Sequence, residues 1–283
     1  MAEILRGAPV ADALTAAYAE QAQQLREKGV APTLAIVRVG EKPDDIAYEN
    51  SAAKRCEKAG VAVRKITLPQ AVGRGEMLAQ MQALNTDAAM HGVLLLRPLP
   101  KTLDEEEICN ALAPQKDIDG ITDASLAGVF TGHGQPFAPC TAQACMELLD
   151  HYGIDPKGKR VVVVGRSLVV GKPLAMLLLG RHATVTICHT RTQGLAAVCR
   201  EAEILVAAAG QMEMIGQEYL APGQVVLDVG IHVDDEGKLR GDVDFESAQA
   251  VVGAITPVPG GVGTVTSTVL AGNVVKAAAR AQG

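Results

Sequence analysis

Short runs of wholly apolar residues, each followed by a stretch of helical periodicity, recur along most of the chain. PTLAIVRV (32–39) closes at Gly40 and leads into a polar helix from about Asp44 to Ala59, stopped by Gly60. A strand near Val61–Leu68, a helix near Gly75–Asn85 and the apolar run Gly92–Leu96 follow, the last broken by Pro98 and Pro100. Ahead of them, residues from about Val10 to Lys28 read as an amphipathic helix ended by Gly29. A strand with no polar face is buried on both sides, and helices between such strands are the crossovers of a parallel sheet.

The pattern lapses between Pro114 and Pro139, where Asp, Gly and Pro are frequent and periodicity is weak. It resumes with a helix near Thr141–Tyr152 and strands at Arg160–Val164, Thr184–Cys188, Ile204–Ala208, Val225–Val229 and Ala254–Thr256. The end, from about Thr266 to Arg280, reads as helix. With 283 residues the chain is long enough for two cores. The expected class is therefore α/β, with two αβ domains at residues 1–139 and 140–265, the second a Rossmann-type doubly wound parallel sheet. The connection between them is expected near Cys140–Thr141.

Composition narrows the function classes. A formal net charge of −6 provides no basic footprint for nucleic acid or an anionic membrane. No apolar run approaches the roughly 20 residues that cross a bilayer. MAEILRGAPVADAL lacks the cationic start and long apolar stretch of a signal peptide, so a cytoplasmic location is expected. The six cysteines form no Cys-x-x-Cys pair and no His pair has zinc-ligand spacing, so reduced, buried thiols and no metal site are expected.

The strongest local motif is RVVVVGRSLVVGKP (160–173), where a buried strand runs into a glycine turn that opens a Leu-rich helix. There a backbone can approach a pyrophosphate, whose charge is favoured by the free N–H groups of a helix start. Pro173 suits a first helical turn. The middle glycine of G-x-G-x-x-G is Ser167, so Gly165 and Gly171 meet the pattern only in part; an ordinary strand–helix turn fits about as well. The next strand weighs for a dinucleotide. It ends in His189-Thr190-Arg191-Thr192, with no acid for ribose hydroxyls, while Arg166 and Arg191 can accept a 2′-phosphate. NADP is expected ahead of NAD. Gly165-x-Ser167-x-x-Gly171 is not the G-x-S-x-G elbow of a serine hydrolase.

With these motifs in view, the chain resembles the methylenetetrahydrofolate dehydrogenase/cyclohydrolase family over essentially its whole length. The residues that carry the likeness are KDIDG (116–120), PCT (139–141), VGRS (164–167) with VGKP (170–173), ATVTICH (183–189), DVGI (228–231), GDVDF (241–245) and TPVPGGVG (256–263). The resemblance implies two αβ domains with an active-site cleft between them, a C-terminal helix (about 266–283) packed back on the first domain, and a homodimer. It implies oxidation of methylene- to methenyltetrahydrofolate with NADP or NAD, usually followed by hydrolysis to the formyl form. By position, Tyr48 would lie against the pterin and Asp119 would bind its amino-pyrimidine edge. Pro259, Gly260, Gly261 and Val262 would shape the folate site, with Leu95, Leu96 and Arg97. Gly165, Arg166, Ser167, Gly171, Thr190, Arg191 and Ile231 would serve the cofactor.

The departures fall on hydrolysis. The family carries Tyr-x-x-x-Lys, whereas Tyr48 is followed at that spacing by Ala52. Lys54 is two residues on, about 200° around a helix and so nearly opposite. The family strand ends Gln-Leu-Pro-Leu-Pro; here Leu96-Arg97-Pro98-Leu99-Pro100 stands instead, with Leu96 at the glutamine. Strand alternation sends Arg97 to the face opposite Leu96. Thr264 replaces a family proline. The resulting expectation is a dehydrogenase with weak or absent cyclohydrolase activity. Three other readings stay open: a bifunctional enzyme rescued by Arg97 or Lys54, another two-domain dehydrogenase, and a non-catalytic dinucleotide- or folate-binding module.

Overall fold

The structure, a computed structural model, describes residues 2–134 and 136–282. In chain order its elements begin with β1 (Glu3–Ile4), α1 (Gly7–Glu27), β2 (Thr33–Val39), α2 (Pro43–Lys58), β3 (Ala62–Leu68), α3 (Arg74–Thr86) and β4 (Gly92–Leu95). Next come α4 (Glu105–Asn110), α5 (Asp123–Thr131), α6 (Cys140–His151), β5 (Arg160–Val164), α7 (Gly171–Gly180), β6 (Thr184–Cys188) and α8 (Leu195–Arg200). The chain continues through β7 (Ile204–Ala207), β8 (Val225–Asp228), β9 (His232–Val233), β10 (Leu239–Arg240), α9 (Phe245–Ala248), β11 (Ala254–Ile255) and α10 (Val262–Arg280).

The molecule divides into two compact units. One holds the residues up to Asp12 together with Thr141–Thr266. Its six strands run in the order β1-β11-β8-β7-β5-β6, every pairing parallel. This is the Rossmann-type sheet that the alternation predicts. Val162, Val164, Leu205, Val226 and Ile255 point to one face and share a core with α8 and α9 through Cys199 and Ala248.

The other unit holds Ala13–Cys140 and the chain from Ser267 onward. Its sheet is three parallel strands, β3-β2-β4. The central β2 is buried almost throughout, while edge strand β3 is largely exposed. Ala35, Val37, Val93 and Leu95 pack with Met77, Met81 and Leu84 of α3 and with Ile108 and Cys109 of α4. Each of the Val, Leu, Ile and Met side chains among them contributes about 1.5–3 kcal/mol when taken from water, so this face of β2 helps anchor the unit. The latter part of α10 belongs here: Asn273 Nδ2 donates to the Ile118 carbonyl at 2.9 Å.

Several elements depart from the sequence reading. The stretch 114–139, expected to be irregular, contains α5, whose start is capped by the Thr122 hydroxyl and whose end is the left-handed Gly132. Helix α4 precedes it, with Asp104 as its cap. Helix α10 begins at Val262, several residues ahead of the expected Thr266. The division expected at residue 139 left residues 1–12 with the first domain, whereas β1 pairs with β11 in the six-stranded sheet. Two residues of strand are too short for periodicity to register.

Candidate active site

At the C-terminal end of β5 the chain turns sharply at Gly165, which adopts φ +137°. A side chain there would enter the Ala208 carbonyl at the end of β7. A Cβ on Gly171 would meet the Gly165 carbonyl, so glycine at both positions lets the start of α7 close against the turn. Val170 N donates to Ser167 Oγ at 3.1 Å, which shapes the turn, and the cap of α7 receives no side-chain bond. In its first turn Lys172 N already donates to the Ser167 carbonyl at 3.0 Å and Pro173 has no N–H, which leaves the Gly171 N–H to face a ligand.

This turn forms one wall of a cavity of about 510 Å³ lined by Gly165, Arg166, Ser167, His189 and Thr190, among others. Ala208, Gln211, Met214 and Tyr219 also line it. Four residues singled out in the sequence, Gly165, Arg166, Ser167 and Thr190, therefore come together. Gly171 stands behind the turn, and neither Arg191 nor Ile231 is among the lining. Past β6, His189 Nδ1 accepts the Arg191 N–H at 3.1 Å and Thr192 Oγ1 accepts the His189 N–H at 2.9 Å. No carboxylate belongs to this rim, which suits a phosphorylated ribose.

Ile231 stands 61% exposed beyond β8. Its Cδ1 lies 3.3 Å from where a Cβ on Gly263 would be, so it leans over the start of α10. The loop before that helix contains a cis Val258–Pro259 bond and a left-handed Gly260, whose carbonyl accepts the Gly7 N–H at 2.7 Å. Thr264, without an account in the sequence, donates its backbone N–H to Gly261 O at 3.1 Å. A proline there would lose that bond, at a first-turn position where the loss is tolerated.

Sequence reasoning missed what holds Ile231. Asp228, at the end of β8, accepts N–H groups from Gly230, Asp242 and Val243 at 2.9–3.0 Å. Asp242 accepts from Gly210 and Gln211, both at 3.0 Å, and meets His232 Nε2 at 2.7 Å. Burial pushes the Asp228 carboxyl up to about 7, against the pull of the three N–H groups. Both aspartates are buried, so they fasten three loops, one of which supplies Gln211 to the cavity. Their adjacency to Gly230 and Gly241 was the available signal, since a side chain on Gly241 would strike Asp228 and one on Gly230 would strike Asp242.

In the other unit, Tyr48 projects from α2 with nearly half its surface exposed. Its hydroxyl is raised well above the ordinary tyrosine value by desolvation, then by Asp119, Cys140 and Cys56. Asp119, in the loop after Lys116, is pushed up to about 6 by burial, while Cys140 and Arg97 pull it down. Tyr48, Asp119 and Arg97 thus share one electrostatic neighbourhood, with Cys140 at the head of α6. Asp117 beside them is turned inward, accepting from Ile121 N, Thr122 N and Thr122 Oγ1. Lys116 donates to the Leu84 and Asp87 carbonyls at the end of α3.

Ala52 and Leu96 are both buried, whereas Lys54 is exposed, on another side of α2 from Ala52. Arg97 follows β4 and precedes a cis peptide to Pro98. Its guanidinium pairs with Glu105 Oε1 at 3.6 Å and lies against the Cys109 thiol of α4. A second unforeseen group is Glu49, next to Tyr48 and buried. It accepts from Arg38 Nε at 2.9 Å and pairs with Lys65 Nζ at 3.1 Å. Burial pushes its carboxyl up, but the two cations hold it below the usual range. The trio ties α2, and with it Tyr48, to β2 and β3.

Among the described residues no cluster of His, Cys, Asp and Glu could hold a metal ion, and all six cysteines are free and buried. No helix among them is long and apolar enough to cross a membrane.

Two family models match the chain: "Tetrahydrofolate dehydrogenase/cyclohydrolase, catalytic domain" over residues 5–119, and "Tetrahydrofolate dehydrogenase/cyclohydrolase, NAD(P)-binding domain" over residues 139–282. The bifunctional protein FolD of Carboxydothermus hydrogenoformans is 48% identical over 279 residues, 98% of this chain and 97% of that one. The crystal structure of the bifunctional FolD enzyme from Campylobacter jejuni superposes with a TM-score of 0.97 at 36% identity, covering 99% of each chain. The Trypanosoma brucei FolD, solved with NADP cofactor and inhibitor, gives 0.91 at 34% identity over 99% of this chain and 98% of that one.

Proposed function

Because the chain belongs to the tetrahydrofolate dehydrogenase/cyclohydrolase family, we propose that it keeps the first of the two activities and has lost most or all of the second. It is an NADP-dependent methylenetetrahydrofolate dehydrogenase. The loss of hydrolysis is carried by one observation: the Lys and Gln positions are occupied by Ala52 and Leu96, both apolar and both buried.

Hydride transfer asks little of side chains. A C–H bond of the methylene carbon breaks, and lone pairs on the two flanking nitrogens stabilise the cation left behind. NADP, when bound, supplies the hydride acceptor. The remaining task is alignment, which depends on position more than on acid–base groups. Gly165, Ser167 and the start of α7 would hold the pyrophosphate, with Arg166 and Arg191 at the 2′-phosphate and Thr190 on the rim. Gly171 would let the helix approach, and Ile231 would meet the nicotinamide end. Tyr48 would stack on the pterin, and the Asp119 carboxylate would accept its amino-pyrimidine donors. Leu95, Leu96, Ala52 and the loop Pro259–Val262 would complete the walls.

Hydrolysis differs, because a water must be deprotonated or oriented by a polar group. Arg97 is a poor base, since a guanidinium does not give up its proton, and Glu105 already engages it. Lys54 faces solvent. Neither supports a rescue. A homodimer in the cytoplasm belongs to the same reading: Val233 and Leu239 are exposed on the β9–β10 pair, and the free thiols suit a reducing compartment.

Purified protein should reduce NADP with methylenetetrahydrofolate and accumulate the methenyl product. Decay of methenyl absorbance much faster than in buffer alone would defeat the single-activity reading.

A further inference from the structure

In the six-stranded sheet β5 is flanked by β6 on one side and β7 on the other, and a dinucleotide laid across the ends of such strands sends one half toward each. With Arg166 and Arg191 at the phosphorylated ribose beside β6, the nicotinamide half falls to the loops that follow β7 and β8. The loop after β7 supplies Gln211 to the cavity wall. Its Gly210 and Gln211 N–H groups donate to Oδ2 and Oδ1 of Asp242, both at 3.0 Å. The chain after β8 carries Ile231, and the next residue, His232, reaches the same Oδ1 through Nε2 at 2.7 Å. A carboxylate only accepts, so Nε2 carries the proton. One carboxylate therefore ties together the two loops on this side of the cavity.

Asp242 is fully buried, yet its main chain has fastenings of its own. The Glu213 and Ile215 N–H groups donate to the Gly241 and Asp242 carbonyls at 2.9 Å, and Asp244 N donates to Ile215 O at 3.0 Å. The rim on the other side of β5 makes no use of the carboxylate. There Gly165 N donates to Cys188 O at 2.9 Å, and Thr192 Oγ1 and His189 Nδ1 accept the His189 and Arg191 N–H groups. We propose that Asp242 and His232 are positioning residues for the nicotinamide half of NADP, fixing Gln211 relative to Ile231 and leaving the adenine half alone. The inference rests on the reading of this cavity as the cofactor site with the 2′-phosphate at Arg166 and Arg191. Asp242→Asn sets an amide donor against the Gly210 or the Gln211 N–H, whichever way the amide turns, and so loosens the loop after β7.

The test is calorimetric titration of the full chain with NADP and with adenosine 2′,5′-bisphosphate, which carries the adenine half alone. It is run on wild type, Asp242→Asn, His232→Leu and His232→Gln. Wild type should bind both ligands; if it does not bind the bisphosphate, the 2′-phosphate reading of the rim fails and the proposal falls with it. With that reading upheld, Asp242→Asn should weaken NADP by about tenfold, the loss of a charge-assisted hydrogen bond, and leave the bisphosphate within about twofold. His232→Leu should weaken NADP by about threefold on the same grounds, again without effect on the bisphosphate. His232→Gln, whose amide N–H stands near the place of Nε2–H, should restore it. In Asp242→Asn and His232→Leu, kcat at saturating NADP should also fall, because hydride transfer needs the ring aligned. The His232 pair decides the matter if Asp242→Asn fails to fold. Equal weakening of both ligands, weakening of neither, or a leucine defect that glutamine does not restore overturns the proposal.

Discussion

The two units build their candidate sites from different materials. In the dinucleotide unit the decisive features belong to the main chain: a left-handed Gly165, a Gly171 that admits the helix, and the uncapped start of α7. In the other unit the proposed features belong to side chains, such as Tyr48 and Ala52 on α2 or Leu96 and Arg97 after β4. A main-chain site cannot be altered without refolding the turn. A side-chain site can be rewritten one residue at a time, and this is where the sequence departs from its family. One unit's features are fixed by geometry and the other's are open to revision.

The contrast can be tested from both sides. Gly165→Val should have the largest effect, because the added side chain strikes the Ala208 carbonyl in a conformation that L-residues avoid. A loss on the order of 10³ in kcat/KM for NADP is expected, with a lowered melting temperature. A variant that binds NADP normally would show that the turn has freedom the contrast denies it.

Glu49→Gln comes next, because the side chains of the folate unit are not all dispensable. It leaves Arg38 and Lys65 without their shared anion and should destabilise the protein by about 3 kcal/mol in denaturant unfolding. The sign with pH follows from its lowered carboxyl. The stabilisation is fully present above the unfolded value, near 4.5, and fades as pH falls through the folded one. The wild type should therefore lose stability on acidification more steeply than the variant.

Ala52→Lys combined with Leu96→Gln should add hydrolysis by a factor on the order of 10², seen as faster loss of methenyl absorbance. No gain would mean that more than two side chains separate the activities. The smallest expected change is in Arg191→Ala, a loss of about tenfold in preference for NADP over NAD from one charge-assisted contact. It is measured as the ratio of kcat/KM with the two cofactors, and an unchanged ratio would remove Arg191 from the phosphate site.

The fold was legible wherever burial was continuous. The central strands are apolar on both faces, and their bounds agree with the sequence reading to within about a residue or two. Features that depend on distant pairing were not legible. β1 is two residues long and takes its place only through Ala254 and Ile255. Helix α5 was hidden by a composition that reads as loop, although Thr122 and Gly132 mark its ends. In the site, the glycine turn declared itself by context. Glu49, Asp228 and Asp242 did not, because a buried acid resembles a surface one until its partners are known.

The pairing of β1 with β11 also bears on how the polypeptide is made. Glu3 and Ile4 leave the ribosome some 250 residues ahead of the neighbour they require. The nascent six-stranded sheet therefore cannot take in β1 until β11 has been made. Cutting the gene near residue 140 would give a C-terminal piece with the backbone groups of Ala254 and Ile255 bare along one side, an invitation to pair with a stranger.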